Sequence, residues 1–186
     1  RSSLCESVCY ARSGRFLFPQ VQARLAWNLR QSLRDDFVDR MVRELYRKGV
    51  LLMRWHVAGD IGTPCYARKV KAVAERSPQV TMWCYTRSWR IDTITPILWE
   101  VAALPNFHLW LSADDETGYP PHVPDRVRVA WMQTGESPEA ADLVFATREV
   151  RRDFRRVNLD LLCAAETDEG RRAGTTCSSC QFCWRE

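Results

Sequence analysis

The sequence lacks three features that each mark a special class of protein. It has no run of about 18 apolar residues, which excludes an ordinary membrane-spanning helix. Its first residues, RSSLCESVCY, lack the apolar region of a signal peptide, so we expect a cytoplasmic protein. It has no low-complexity stretch and no linker, and 186 residues suffice for one hydrophobic core, so we expect a single domain over residues 1–186.

The sequence also lacks a strong excess of charge of either sign. It carries 27 Lys plus Arg residues and 23 Asp plus Glu residues, a formal net charge of +4, which permits an anionic partner without requiring one. Five arginines between Arg148 and Arg156 would largely share one side of a helix, as a solvated basic face or as a phosphate-binding stripe. Nucleic acid therefore stays open as a partner, beside a small-molecule or nucleotide substrate. The sequence indicates no oligomeric state.

Four short apolar runs, each with one tryptophan, recur through the middle of the chain. They read MRWHVAGD, TMWCYTRS, HLWLSADD and VAWMQTGE, and their tryptophans, Trp55, Trp83, Trp110 and Trp131, lie 21 to 28 residues apart. That spacing is typical of a strand followed by its crossover, and helical patterns lie between most of the runs. With a fifth run at residues 142–147, we expect an α/β fold: a partial or open (β/α) barrel of about five to six mostly parallel strands, with a Cys-rich C-terminal tail. We assign the four tryptophans to packing layers.

Polar side chains follow the predicted strands at the points where the strands end. In parallel α/β folds the carboxyl ends of the strands meet at one rim, where sites are built. We predict three catalytic residues there: Asp60, Arg87 and Asp114. The two carboxylates could exchange protons or bind a ribose or an amine, and Arg87 could bind a carboxylate or a phosphate. Asp60 could instead cap the next helix, and Asp114 could belong to a solvated acidic turn. The predicted cofactor-binding residues beside them are Gly59, Tyr85, Thr86 and Ser112.

Eight cysteines are an unusual number for a chain of this length. In a small secreted domain they would indicate disulfides, but this chain has enough core residues to fold without them. The tail, residues 163–186, contains Cys163 and then CSSCQFC, whose two CxxC steps place three sulfurs on one turn. The predicted metal ligands are Cys163, Cys177, Cys180 and Cys183. Four thiolates complete a 4Fe–4S cluster, and zinc is the alternative metal.

The N-terminal Cys loop, residues 1–13, contains a second pair of candidate ligands. Cys5 and Cys9 form a CxxxC motif, and a CxxxCxxC motif would leave one iron of a cluster open to S-adenosylmethionine. Arg12 occupies the place of the third cysteine, so a second cluster and S-adenosylmethionine both stay open, with buried thiols as the alternative. We assign the remaining cysteines, Cys65 and Cys84, to packing.

Four segments together resemble a known family. CESVCYARSGRF, HVAGD, WCYTRSWR and the ending with CSSCQFCW are similar to the "gene product eighty-eight" family of phage and plasmid proteins, over nearly the whole chain. The resemblance implies the cytoplasm of a bacterial host and a further cysteine upstream of the CYA motif. The alternating units and the N-terminal Cys loop are also similar, at the level of the fold, to radical S-adenosylmethionine enzymes.

These patterns predict an iron–sulfur protein. We expect a redox or radical-type enzyme with one 4Fe–4S cluster in the tail and its substrate at the strand ends. The alternative is a nucleic-acid-binding protein in which zinc or an inert cluster has a structural role.

Overall fold

The structure is a computed structural model that describes residues 3–135, 138–147 and 160–185. Five parallel strands form one sheet whose spatial order follows the chain. They are β1 (Leu52–Trp55), β2 (Thr81–Thr86), β3 (Phe107–Asp114), β4 (Arg128–Gln133) and β5 (Leu143–Ala146). The sheet curls into a half-barrel, so the prediction of a partial barrel of parallel strands is confirmed. The predicted basic stretch from Arg148 to Arg156 lies outside the described residues.

Seven α-helices occur in the described parts of the chain. They are α1 (Ser3–Ser7), α2 (Pro19–Ser32), α3 (Phe37–Arg47), α4 (Pro64–Glu75), α5 (Thr95–Ala102), α6 (Asp168–Arg172) and α7 (Cys177–Cys180). None of these described helices combines the length and hydropathy needed to cross a membrane. The crossover from β3 to β4 contains no helix, as its proline-rich sequence predicts.

Helix α4 shows how local sequence sets an element boundary. Pro64 occupies the first turn, where its missing N–H costs nothing. The preceding Thr63 accepts a hydrogen bond from the backbone N–H of Tyr66 at 3.2 Å and so caps the helix. Cys84 on β2 is fully buried, as predicted, but Cys65 in the first turn of α4 is exposed, so its assignment to packing is wrong.

One face of the sheet packs on helices α4 and α5. Alternate strand residues, among them Met82, Leu109 and Val129, meet apolar residues of those two helices in the main core. The opposite face carries the intervening residues, which include Tyr85 and, in register beside it, Trp110. We call this opposite surface the open face, because no helix between the strands covers it.

The four repeated tryptophans divide between the two faces. Trp55 and Trp131 belong to the main core beneath the helices, whereas Trp110 lies on the open face. Trp83 pairs with Arg54 and lies one position from Cys84 of the main core, so it too belongs to the open face. All four are buried, so they pack as predicted, in two layers on opposite faces of the sheet.

Candidate functional site

The C-terminal tail returns to the sheet beside β5. Val144 donates a hydrogen bond from its backbone N–H to Leu161 O at 2.7 Å, and the Cys163 N–H donates to Val144 O at 2.9 Å. This pairing brings Cys163 to the open face. Twenty residues later Cys183 reaches the same place, and both side chains pack against the apolar cluster of Trp110, Ala130 and Leu143. The tail thus covers the face that the helices leave open.

Cys183 is held on the open face by its backbone and by its sulfur. The indole N–H of Trp110 donates to Cys183 O at 2.9 Å. Arg128 lies over the Trp110 ring, 4.2 Å from its centroid, and donates to Phe182 O at 3.0 Å and to Cys183 O at 3.2 Å. The hydroxyl oxygen of Tyr85 lies 2.7 Å from Cys183 Sγ. These contacts fix the position of one candidate ligand.

Helix α7 carries two further cysteines, Cys177 and Cys180, at its two ends. Thr176 and Ser179 form a reciprocal capping box at its start, and Gln181, with a φ of 65°, ends it in the left-handed conformation. This chain reversal leads directly into Cys183. Of the three cysteines in the two CxxC steps, Cys177 is exposed, Cys180 is partly buried and Cys183 packs on the open face.

Glycine at position 170 lets helix α6 lie against the turn that follows Cys163. A Cβ atom added to Gly170 would fall 1.8 Å from Ala164 O, which no side chain can tolerate. The Gly170 N–H also donates a hydrogen bond, at 2.8 Å, to the hydroxyl oxygen of Thr167, which caps α6. The sequence analysis does not single out this contact, although it joins the first candidate ligand to the rest of the tail.

The four tail cysteines form one electrostatic group. Burial, with smaller contributions from Glu166 and from the thiols of Cys183 and Cys177, raises the pKa of Cys163 to about 11. Burial also raises the pKa of Cys183; the Tyr85 hydrogen bond lowers it, and Cys177 and Cys180 again raise it. The raised pKa values of Cys163 and Cys183 mean that a bound cation would be needed to hold these two partly buried thiols as thiolates.

The donor set fits a cluster by its chemistry. All eight cysteines are free thiols, so no disulfide competes for the sulfurs. Among the residues that the structure describes, no group of three or more His, Cys, Asp or Glu side chains already has the geometry to hold a metal ion. Binding would therefore have to draw the tail sulfurs closer together.

The N-terminal Cys loop lies at the carboxyl ends of the strands. Tyr10, next to Cys9, donates a hydrogen bond from its hydroxyl to Val57 O, in the loop after β1. The Leu4 N–H donates to Glu116 Oε2 at 2.7 Å, just after β3. Cys5 and Cys9 are both partly buried, and a cluster on this loop stays a prediction.

The three predicted catalytic residues meet in one network at the strand ends. Asp60 accepts hydrogen bonds from Thr86 Oγ1 at 2.6 Å and from the N–H groups of Ile61 and Arg87 at 2.7 and 2.8 Å. Arg87 Nη2 lies 2.6 Å from Asp114 Oδ2. The carboxylates thus hold the strand ends together, and a catalytic role for them stays a prediction.

Asp114 is the buried member of this network. Its side chain is 0% exposed, against 14% for Arg87. Burial alone would raise its pKa, but the hydrogen bonds from Arg87 and from the Thr117 N–H outweigh burial, so the pKa of Asp114 is lowered. Asp114 therefore stays ionised and orients the guanidinium of Arg87.

The predicted cofactor-binding residues separate into two places. Gly59 and Thr86 lie in the Asp60 network; Gly59, at φ +94°, adopts a conformation that favours glycine. Ser112 contributes its backbone oxygen to the indole N–H of Trp89 at 3.0 Å. Tyr85 instead lies beneath the tail, against Cys183.

Sequence reasoning missed the strand residues that hold the tail. Arg54, Trp110 and Arg128 all lie on the open face, but the sequence predicts only a packing role for Trp110 and no role for the two arginines. An arginine inside an apolar strand is the available signal, because such a charge needs a partner on the face to which it points.

The whole chain matches a known protein family. A sequence model for a family described as "Gene product 88" matches residues 1–186. No curated protein and no solved structure matches the chain.

Proposed function

The chain belongs to the gene product 88 family, and we propose that it binds one 4Fe–4S cluster through Cys163, Cys177, Cys180 and Cys183. When bound, such a cluster supplies one-electron chemistry. The protein provides the thiolates, a largely dry face of the sheet and the hydrogen bonds around the ligands.

The observation that carries the proposal is the return of Cys183 to the patch where Cys163 lies. The two are twenty residues apart in sequence, yet both pack on Trp110, Ala130 and Leu143. Cys177 and Cys180 are within electrostatic range of Cys183. Four thiols from one tail, two of them on the same face of the sheet, can form the ligand set of a cluster.

Zinc could use the same four thiols, and we favour iron because of their spacing. Two successive CxxC steps that share a middle cysteine supply three ligands from a single turn, a pattern that resembles ferredoxin-type clusters. Structural zinc sites more often combine two separate pairs of ligands. The metal that copurifies with the protein distinguishes the two alternatives.

Iron and sulfide analysis of anaerobically purified protein tests the proposal. We expect about four iron atoms and four sulfides per chain, with absorbance that dithionite bleaches. Cys163→Ser and Cys183→Ser should each remove most of the iron. Cys65→Ser is the matched control, because Cys65 is exposed on α4 and should leave the iron content unchanged. Stoichiometric zinc, or equal iron in all three variants, would refute the assignment.

We further propose that the substrate of a redox or radical-type reaction binds at the strand ends. Arg87 keeps a side chain that is 14% exposed, against 0% for Asp114, and a guanidinium suits a carboxylate or phosphate group. Cys5 and Cys9 lie at the same rim, where a second cluster could bind S-adenosylmethionine.

Reductive cleavage of S-adenosylmethionine decides between the two kinds of chemistry. A radical-type enzyme should release 5′-deoxyadenosine when the reduced protein is mixed with S-adenosylmethionine, and Cys9→Ser should abolish the release. A plain redox protein should give none with either form of the chain.

A further inference from the structure

Arg54 lies on the open face of β1, on the side of the sheet that the tail covers. It pairs in register with Trp83 of β2, and its guanidinium carbon lies 5.2 Å from the ring centroid of Tyr85. Its guanidinium shares a side-chain hydrogen bond with the Tyr10 hydroxyl of the N-terminal Cys loop, whereas its Nε is buried and finds no hydrogen-bond partner among the described residues. A half-buried guanidinium with a donor to spare needs a negative partner nearby.

Tyr85 links Arg54 to a candidate ligand. The ring of Tyr85 contacts the guanidinium, and its hydroxyl lies 2.7 Å from Cys183 Sγ. On the far side of the tail, Arg128 lies over Trp110 and uses its donors on the carbonyls of Phe182, Cys183 and Arg185. Arg128 is thus engaged with the backbone, whereas Arg54 keeps a donor available.

The charge of the proposed site makes such a cation useful. A 4Fe–4S cluster held by four thiolates is anionic, and adding an electron makes it more so. Burying that charge is unfavourable unless positive groups lie close to it. A fixed cation favours the more negative, reduced state and so raises the reduction potential.

We propose that Arg54 is the counter-ion of the tail site, where its guanidinium, lying against Tyr85, offsets the thiolate charge and raises the reduction potential of the cluster. This inference rests on the proposed function. It makes Arg54 a positioning and tuning residue of that site, not a ligand.

A pair of variants with side chains of similar shape separates charge from packing. Arg54→Lys keeps the positive charge, and Arg54→Met keeps most of the stem without it. Arg76→Met is the control, because Arg76 pairs with Asp39 on the exposed surface. The measurements are the midpoint potential of the loaded protein and its iron content.

We expect Arg54→Met to lower the equilibrium constant for one-electron reduction about tenfold, which corresponds to about 59 mV. The midpoint potential of Arg54→Lys should stay much closer to that of the wild type, and the midpoint potential of Arg76→Met should equal that of the wild type. If Arg54→Met loses its iron while Arg54→Lys keeps it, the result also supports the proposal, because the two differ mainly in charge.

Two results would overturn the inference. Equal potentials for the Lys and Met variants would show that the charge has no effect, and loss of iron from both would assign Arg54 a purely structural role. In both of these results the wild-type protein still contains its iron, so the proposed function would stand. Wild-type protein without iron would instead refute the proposed function itself.

Discussion

At the scale of single residues, Asp60 joins the loop after β1 to the end of β2. Its carboxylate accepts one hydroxyl and two backbone hydrogen bonds. We predict that Asp60→Ala lowers the free energy of unfolding by about 2–3 kcal/mol, because it leaves buried donors unsatisfied. Urea denaturation measures the change. Asp39→Ala, which removes an exposed ion pair with Arg76, should cost less than about 1 kcal/mol, and equal losses would contradict the prediction.

Asp114 gives a pH-dependent prediction at the same scale. Its pKa is lowered in the folded protein, so its contribution to stability is present above the unfolded pKa, about 4. That contribution is lost as the pH falls through the folded pKa. We therefore expect the stability of wild type to drop more steeply than that of Asp114→Asn between about pH 5 and pH 2. Urea denaturation at each pH measures the free energy of unfolding. If this free energy falls equally steeply with pH in the wild type and in Asp114→Asn, Asp114 does not have the lowered pKa.

At the scale of elements, the tail depends on the close approach of α6 to the turn after Cys163. We predict that Gly170→Ala displaces α6, because the new methyl group would collide with Ala164 O. Hydrogen exchange in residues 164–180 should then accelerate. Gly174→Ala is the control: φ is +66° there and nothing lies within 4 Å, so it should cost only the strain of about 1 kcal/mol. Equal exchange rates in the two variants would refute the predicted collision.

The strands could be predicted from the sequence because each is a short apolar run with its own boundaries. The runs around Trp55, Trp83, Trp110 and Trp131 all became strands of one parallel sheet. Their faces could not be assigned, because a shift of one residue in the spacing moves a side chain to the other side of the sheet.

The packing of the tail could not be predicted from the sequence. Tyr85 and Cys183 are 98 residues apart, and no periodic pattern connects them. Three of the four cysteines, Cys177, Cys180 and Cys183, were recognisable from their CxxC spacing, which is local. The supporting residues Arg54 and Arg128 act only across the fold, so they became visible only in the structure.

At the scale of the whole molecule, the helices cover one face of the sheet and the tail covers part of the other. Parallel sheets need cover on both faces, and here helices α4 and α5 supply one cover. The tail supplies part of the other, over Trp110 and Tyr85. Metal binding and folding are therefore coupled in this account, since the ligands and the cover are the same segment.

X-ray absorption at the iron and zinc edges of one anaerobic sample tests the central claim most directly. The account predicts iron surrounded by sulfur, with iron–iron scattering from a cluster, and the loss of both in Cys183→Ser. Zinc bound by four sulfurs at about 2.3 Å, without iron, would contradict it. So would iron whose spectrum is the same in the wild type and in Cys183→Ser.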